Sequence, residues 1–216
     1  MILYTIIAII IGYIFGSIPA AYLAGRLKKG IDIREVGSRN MGAMNVYYEV
    51  GRVESVLVSL VDLGKGIAAI LLVRSLSGYS LISPFDFLTG ITSAAAILGH
   101  IFPCFLKFRG GKGGATAIGI LLFLMPWAFP ILLIVFLIAV FITYNITFSY
   151  SLLLIVFPFI AWLIYFNIHG EDLIFFSIGV GVFLGIQYIP RLKEMRSKTG
   201  GNWRKVIRRR SLRDRF

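Results

Sequence analysis

The chain is built from long apolar segments joined by short polar loops, and this pattern constrains its fold more than any other feature. Hydrophobic residues make up 58% of its 216 residues, and charged residues only 15%. A water-soluble domain of this size cannot bury so much apolar surface, and the exposed excess would drive aggregation. Because a membrane-spanning helix needs about 20 apolar residues, the pattern predicts an all-α, polytopic integral membrane protein.

Six apolar segments can be marked in the sequence as candidate spans. They cover about 2–27, 53–74, 87–106, 114–143, 149–166 and 172–190. The first lacks a basic region before its apolar stretch, so we expect a retained helix rather than a cleaved signal peptide. The fourth has 30 residues with Pro126 and Pro130 near its middle, and it is compatible with one long helix or with two short ones.

The charges of the connecting segments decide between these two possibilities. Basic residues crowd the segments 28–52 and 107–113 and the tail from 191, whereas 167–172 holds two acidic residues and no Lys or Arg. Since cytoplasmic segments of membrane proteins are enriched in Lys and Arg, all three basic segments belong on the cytoplasmic side. The fourth segment must then cross twice, with a break near Met125–Pro130. The prediction is seven transmembrane helices with the N-terminus outside and the basic C-terminus cytoplasmic.

This topology has consequences for the domains and the partners. The two halves of the broken segment are short for about 30 Å of hydrocarbon, so we expect protein to shield them or each to cross only partway. The chain would comprise a transmembrane domain over 1–190 and a basic cytoplasmic tail over 191–216. The net charge of +12 indicates anionic membrane lipids or phosphate compounds as partners, and no nucleic acid. Small residues four apart, Gly12 with Gly16 and Gly181 with Gly185, are typical of helix packing.

The loop 36–46 carries residue types suited to binding a phosphate. Its glycines allow close approach of the backbone to a ligand, Arg39 offers a bidentate cation, and three side chains supply neutral donors. These three are Ser38, Asn40 and Asn45. The alternative is a structural turn in which Ser38 or Asn40 caps the following helix.

The loop 108–116 is a second candidate anion site. It reads Phe-Arg-Gly-Gly-Lys-Gly-Gly-Ala-Thr and is not a Walker A loop, because Leu106 stands where that motif needs glycine. Its four glycines are expected to expose consecutive backbone N–H groups beside Lys112, at the positive N-terminus of the next helix. The alternative is a flexible basic connection at the membrane surface.

Three polar residues inside the predicted spans are candidates for chemistry. Asp62 and Lys65 are one helical turn apart, and such intramembrane charges indicate a functional site unless they simply pair with each other. His100, near the cytoplasmic end of the third segment, could orient a phosphate, act as a base or be a packing histidine. The single cysteine, Cys104, provides neither a disulfide framework nor a metal cluster.

These segments together resemble one known family. The resemblance rests on Gly-Ser-Ile-Pro at 16–19, on the glycine- and asparagine-containing loop 37–46, on Asp-Leu-Gly-Lys-Gly at 62–66, and on Gly-His-Ile-Phe-Pro at 99–103 followed by Phe-Arg-Gly-Gly-Lys-Gly at 108–113. In this order they are similar to the bacterial acyl-phosphate:glycerol-3-phosphate acyltransferases. The motifs cover about 12–120, and beyond that only the hydropathy profile agrees.

The resemblance implies a seven-helix plasma-membrane enzyme whose active site faces the cytoplasm. It would transfer a fatty acyl group from acyl phosphate to glycerol 3-phosphate, releasing lysophosphatidic acid and phosphate, without a metal or other cofactor. The two loops would hold the two anionic substrates. An acyl phosphate is already activated, so positioning and oxyanion stabilisation are the main requirements, and a substrate phosphate could accept the hydroxyl proton.

The chain also departs from the family pattern. Arg39 stands where the family usually has glycine, and Tyr48 stands near the position of a usual arginine. The family's motif after the last helix is not recognisable in 188–194. Two alternatives therefore remain, a transporter of a lipid or phosphorylated compound and a non-catalytic paralogue. A transporter needs access from both faces, whereas the recognisable polar clusters lie on one.

The candidate site residues fall into two groups. The candidate catalytic residues are Ser38, Lys112 and His100. The candidate substrate-binding residues are Arg39, Asn40, Gly42, Asn45, Asp62, Lys65, Arg109, Gly110, Gly111, Gly113 and Thr116.

Overall fold

The computed structural model describes residues 1–78, 85–169 and 171–208, and the regular structure in these ranges is helical. The α-helices are α1 (Ile2–Gly16), α2 (Ala20–Lys29), α3 (Ala43–Glu49), α4 (Arg52–Ser77), α5 (Phe87–Ile101), α6 (Gly114–Leu124), α7 (Ala128–Thr143), α8 (Ile146–His169), α9 (Glu171–Lys198) and α10 (Trp203–Ile207), with a 3-10 turn at Cys104–Leu106. The chain forms two compact units, Met1–Leu124 and Met125–Phe216. The arginines that close the predicted tail, at 209, 210, 213 and 215, lie outside the described residues.

Five helical segments among the described residues are long and apolar enough to cross a membrane. They are Ile2–Lys29, Arg52–Ser77, Phe87–Leu106, Phe148–Phe166 and Glu171–Lys198. The first includes a bend at 17–19, between α1 and α2. The sequence did not lead us to expect this bend, although Pro19 disfavours a helical conformation in the residue before it.

The predicted break in the fourth apolar segment is confirmed. Helix α6 ends at Leu124 and α7 begins at Ala128, with Pro126 in the turn and Pro130 in the first turn of α7, where proline costs no helical hydrogen bond. The two helices have 11 and 16 residues, about 16 and 24 Å at 1.5 Å per residue. Helix α6 is partly shielded, since Gly119 lies against the backbone of Leu63 in α4.

Helix α4 is the centre of the first unit and packs against α1, α2, α3, α5 and α6. Helix α1 also packs closely on α5, because a Cβ at Gly12 or Gly16 would collide with the backbone of Thr92 or Ala96. The predicted packing role of this glycine pair is confirmed. At the other predicted pair, a Cβ on Gly185 would meet no atom within 4 Å, so packing does not require glycine there.

In the second unit α8 packs against both α7 and α9. Helix α9 runs through Pro190 without interruption and ends at Lys198. The short helix α10 then packs on α9. It is held by Asn145, whose Nδ2 donates to the carbonyl of Val206 at 2.6 Å. The described part of the predicted basic tail therefore comprises the end of α9 and the short helix α10, which packs on α9.

Candidate active site

The first loop leaves α2 through Gly30, which is left-handed (φ 69°), and is pinned by an ion pair. The Arg34 guanidinium donates to both oxygens of Asp32, at 2.9 Å from Nε to Oδ1 and 2.7 Å from Nη2 to Oδ2. Ile33 between them is fully buried. The loop is therefore anchored by one apolar side chain and one bidentate pair.

Asn45 holds the next part of the same loop. Its Nδ2 donates to the carbonyls of Ile33 (2.8 Å) and Val36 (3.1 Å), and its Oδ1 accepts from the N–H of Ser38 (2.9 Å). It is 3% exposed. These contacts engage the amide with the protein, so Asn45 shapes the loop instead of facing outward.

The turn 38–42 is more open. Ser38 and Arg39 are exposed and Asn40 is half-buried, and Arg39 has a left-handed backbone (φ 57°). The residue that caps α3 is Gly42, without a side-chain cap, so the alternative that Ser38 or Asn40 is the helix cap is wrong. Their side chains remain available at the surface of the turn.

The second loop uses its glycines differently from the sequence expectation. The N–H groups of Gly110 and Gly111 donate to the carbonyls of Ile101 (3.0 Å) and His100 (3.1 Å), so the expected run of consecutive outward N–H groups is wrong at these two positions. A Cβ at Gly111 would collide with His100 Nε2 and with the carbonyl oxygen of Met41. These glycines are needed for close packing.

The two loops meet. Arg34 Nη1 donates to the carbonyls of Leu106 (3.1 Å) and Arg109 (3.4 Å), and Met41 of the first loop faces Gly111 of the second. Arg34 thus contacts the first loop through Asp32 and the second through backbone oxygens. The structure brings together the two segments that the sequence predicts as anion sites.

A buried polar cluster supports this junction. Lys65 Nζ donates to Asp62 Oδ1 at 2.8 Å and to the carbonyl of Ile18 at 3.1 Å. His100 Nδ1 lies 3.5 Å from the same Asp62 oxygen and 3.2 Å from Thr116 Oγ1. All four polar side chains are at most 4% exposed. Asp62 and Lys65 do pair with each other, and the cluster reaches the loops through His100 and Gly111.

The charge balance of the loops favours anions. The bonded Arg34 guanidinium lowers the pKa of Asp32 to about 2, and Asp32 raises the pKa of Arg34, so this pair stays ionised and nearly neutral in sum. Arg39 and Arg109 are exposed and Lys112 is half-buried. These three residues and the exposed Lys107 therefore give the joined loops their cationic character.

Sequence reasoning missed the structural roles of two groups. Arg34 was counted only as a basic loop residue and Asp32 was not considered, although opposite charges two residues apart beside a glycine-rich loop were a usable signal. Away from the loops, Arg74 is 2% exposed and donates to Thr89 Oγ1 (3.0 Å) and Asp86 Oδ2 (3.4 Å). No partner could be predicted for Arg74, because the residues it contacts lie at the start of the next helix, α5.

The chain is similar over most of its length to known membrane acyltransferases. The family model described as glycerol-3-phosphate acyltransferase matches residues 6–198. The chain is 46% identical to glycerol-3-phosphate acyltransferase 2 of Dehalococcoides mccartyi over 98% of this chain and 97% of that protein. It is 39% identical to glycerol-3-phosphate acyltransferase of Bacillus cytotoxicus over 67% of this chain and 70% of that protein. The match runs well past residue 120, where the sequence motifs end.

Two solved structures have a similar fold. The crystal structure of PlsY (YgiH), an integral membrane glycerol 3-phosphate acyltransferase, in its glycerol 3-phosphate form superposes with a TM-score of 0.77 at 27% identity, over 92% of this chain and 94% of that one. The lysophosphatidic acid form gives a TM-score of 0.76 at 26% identity, over 92% and 93% of the two chains. The likeness covers both units of the chain.

Proposed function

This chain belongs to the glycerol-3-phosphate acyltransferase family and is a membrane-embedded acyltransferase, and from this premise we propose its donor, its site residues and its orientation. The donor is acyl phosphate, the acceptor is glycerol 3-phosphate, and the products are lysophosphatidic acid and phosphate. Family membership favours this activity over the transporter that the sequence also allowed.

The observation that carries the proposal is the junction of two cationic loops through Arg34. Both substrates are phosphorylated, and a site for two phosphates needs two sets of donors on one surface. In the proposed arrangement the first loop binds the acceptor phosphate through Arg39 and Asn40, in a turn that the N–H of Gly42 closes by donating to the Asn40 carbonyl. The second loop binds the acyl phosphate through Arg109, Lys112, Gly113 and the N-terminus of α6.

The reaction then requires no base from the protein. A glycerol 3-phosphate hydroxyl oxygen attacks the acyl carbonyl carbon and forms the new ester bond. The bond from that carbon to the phosphate oxygen breaks, the electron pair leaves with phosphate, and the hydroxyl proton passes to a phosphate oxygen. Lys112 and the Ser38 hydroxyl stabilise the charge that develops on the carbonyl and leaving oxygens.

The buried cluster has a supporting role in this proposal. His100 contacts Gly111 and therefore fixes the second loop, while Asp62 and Thr116 fix the histidine ring. Lys65 neutralises Asp62 inside the protein. These residues, with Gly110 and Asn45, position the substrate-binding groups instead of touching the reacting atoms.

The proposed orientation is the one that the charges favour. The protein spans the plasma membrane seven times with the N-terminus outside, and both loops and the C-terminal segment face the cytoplasm. Exposed basic residues of the tail, such as Lys193, Arg204, Lys205 and Arg208, would contact anionic lipid headgroups, each worth about 1 kcal/mol near the surface.

The test is a two-product assay. Purified protein in detergent receives acyl phosphate and glycerol 3-phosphate, and phosphate release and lysophosphatidic acid are measured together. Equal amounts of both products are expected, with acyl-CoA as a much poorer donor. Phosphate release without lysophosphatidic acid would reject the acceptor, and neither product from folded protein would indicate a non-catalytic paralogue.

A further inference from the structure

The second loop is entered through two consecutive residues with a left-handed backbone. Lys107 has a φ of 55° and Phe108 a φ of 59°, and both are exposed. A side chain with a Cβ disfavours this conformation at each position. Such a backbone persists only where surrounding contacts hold it, so the turn at Lys107 and Phe108 needs partners outside itself.

Arg34 of the first loop supplies contacts at both ends of this turn. Its Nη1 donates to the carbonyl of Leu106, the residue before the two left-handed positions, at 3.1 Å. The same nitrogen donates to the carbonyl of Arg109, the residue after them, at 3.4 Å. One guanidinium nitrogen therefore bridges the two ends of the strained turn.

The Arg34 guanidinium is itself fixed from the other side. Its Nε and Nη2 donate to the two oxygens of Asp32, and the Tyr22 ring of α2 lies beside it, with 5.1 Å from Cζ to the ring centroid. An arginine has five N–H groups, and four of them donate to the protein here. Arg34 is therefore suited to positioning the second loop and has little capacity left to bind a substrate phosphate.

We propose that Arg34, although it belongs to the first loop, is a positioning residue for the acyl-phosphate site on the second loop. By holding the turn at Lys107 and Phe108 it sets the direction in which the chain continues to Arg109 and Lys112. The proposal rests on the function above, in which Arg109 and Lys112 bind the donor. Because the backbone of Arg109 accepts directly from Arg34, a change in the turn displaces this donor-binding residue first.

The acceptor site should depend less on the contacts of Arg34 with the second loop. The turn that we propose binds glycerol 3-phosphate is shaped by Asn45, whose amide bonds three other backbone groups of the first loop. None of these three bonds involves the Leu106 or Arg109 carbonyl. Loss of the bridge from Arg34 should then weaken binding of acyl phosphate more than binding of glycerol 3-phosphate.

The test compares Arg34→Lys with Arg26→Lys. Lysine keeps a positive charge beside the Asp32 carboxylate but lacks the planar fork that reaches several acceptors at once. In Arg34→Lys the KM for acyl phosphate should rise about tenfold or more, while the KM for glycerol 3-phosphate stays near the wild-type value. Arg26 is the matched control, because it also contacts Tyr22 and Asp32 and, among the described residues, its hydrogen bonds and ion pair stay within α2 and the first loop. Arg26→Lys should leave both KM values unchanged.

A second substitution separates positioning from a general structural role. Glycine adopts the left-handed conformation without strain, so Phe108→Gly added to Arg34→Lys should recover part of the lost binding of acyl phosphate. Phe105→Gly is the matched control, because Phe105 is 64% exposed against 61% for Phe108 but lies in the 3-10 turn. It should recover none of the loss.

Thermal unfolding in detergent gives a readout that does not depend on activity. An acyl phosphonate, which cannot transfer its acyl group, should raise the unfolding temperature of the wild type and of Arg26→Lys much more than that of Arg34→Lys. If Arg34→Lys does not fold, Asp32→Asn combined with Arg34→Gln replaces it, since this removes the pair without leaving an unpaired buried charge, and Asp32→Asn alone is its reference.

Three results would overturn the positioning role. They are an unchanged KM for acyl phosphate in the Arg34 variant, an equal rise in the KM of both substrates, and equal recovery by the two glycine substitutions. A wild-type protein that consumes no acyl phosphate would instead reject the proposed function itself.

Discussion

Arg39 occupies a backbone conformation that glycine would adopt more easily. Its φ is 57°, and the family resemblance places glycine at this position. A side chain in the left-handed region costs about 1 kcal/mol, so the arginine is retained at a cost in stability. Its guanidinium is exposed in the turn that we propose binds the acceptor phosphate.

Arg39→Gly should therefore move stability and binding in opposite directions. Relief of the left-handed strain should raise the unfolding temperature, whereas loss of a charge-assisted contact worth about 1.5–3 kcal/mol should raise KM for glycerol 3-phosphate roughly 10- to 100-fold. The measurements are thermal unfolding in detergent and kinetics with glycerol 3-phosphate varied at fixed acyl phosphate.

Two further variants separate charge from strain at this position. Arg39→Ala keeps the strained backbone and should weaken binding of glycerol 3-phosphate. Arg39→Lys should weaken this binding less, because lysine keeps the charge but cannot reproduce two parallel donors. Adding Tyr48→Arg to Arg39→Gly should recover much of the loss if one cation can replace the other. If Arg39→Gly is more stable and its KM for glycerol 3-phosphate is unchanged, Arg39 is only a surface charge.

The Asp32 carboxylate should make the free energy of unfolding fall at acidic pH. Its pKa is lowered to about 2 from an ordinary 3.8, so its contribution is present above pH 4 and is lost as the pH falls towards 2. A shift of this size corresponds to about 2 kcal/mol. Thermal unfolding measured from pH 6 to pH 2.5 should show a smaller acid-induced loss in Asp32→Asn than in the wild type. Parallel curves would mean that the pair with Arg34 contributes nothing.

At the scale of elements, the glycine-rich loop must both approach a ligand closely and pack closely on the protein, and glycine content indicates the two requirements alike. Its composition predicted an anion site, but Gly110 and Gly111 are used for packing on His100 and on the first loop. Glycine content alone cannot distinguish close approach to a ligand from close approach to the protein. The distinction needs the partner backbone, which lies far away in the sequence.

Gly111→Ala should therefore be damaging although it removes no charge. The added methyl group must displace His100 or the backbone at Met41, and a displacement of about 1 Å at a reacting site can cost 100-fold in rate. We expect lower kcat/KM and a lower unfolding temperature. Gly64→Ala is the control, since a Cβ there meets nothing within 4 Å. Equal effects of the two substitutions would argue against the packing role.

A substitution of Lys112 tests the proposed phosphate-binding function of this loop. If its ammonium contacts a substrate phosphate, Lys112→Ala should cost about 2–4 kcal/mol of transition-state stabilisation, roughly 30- to 1000-fold in kcat/KM. Lys107→Ala removes a cation from the same loop and keeps a Cβ at its left-handed position (φ 55°), so it should change little. Near-normal activity of Lys112→Ala would make the loop a structural connection.

At the scale of the whole molecule, the sequence predicts features that depend on local chemistry and misses those that depend on distant pairing. Hydropathy and charge placed the helices and the break between α6 and α7. Local motifs marked both loops. The contact of Arg34 with Leu106 joins residues 72 positions apart, and no spacing rule connects them. The structural contacts of Asn45 were missed for a similar reason, because its partners are backbone groups that become neighbours only when the loop folds back.

The orientation in the membrane is the remaining prediction at this scale. In a Cys104→Ser background, single cysteines replacing Lys29, Lys107 and Lys198 should resist a membrane-impermeant thiol reagent in intact cells, because seven crossings place all three in the cytoplasm. A cysteine replacing Asp172 should react. Permeabilised cells should label all four positions, which controls for burial. The decisive position is Lys198, at the end of α9. Labelling there, with Lys107 protected, would mean that α6 and α7 together make a single crossing. Such a result would move the basic tail to the outer surface while leaving both loops on the cytoplasmic side.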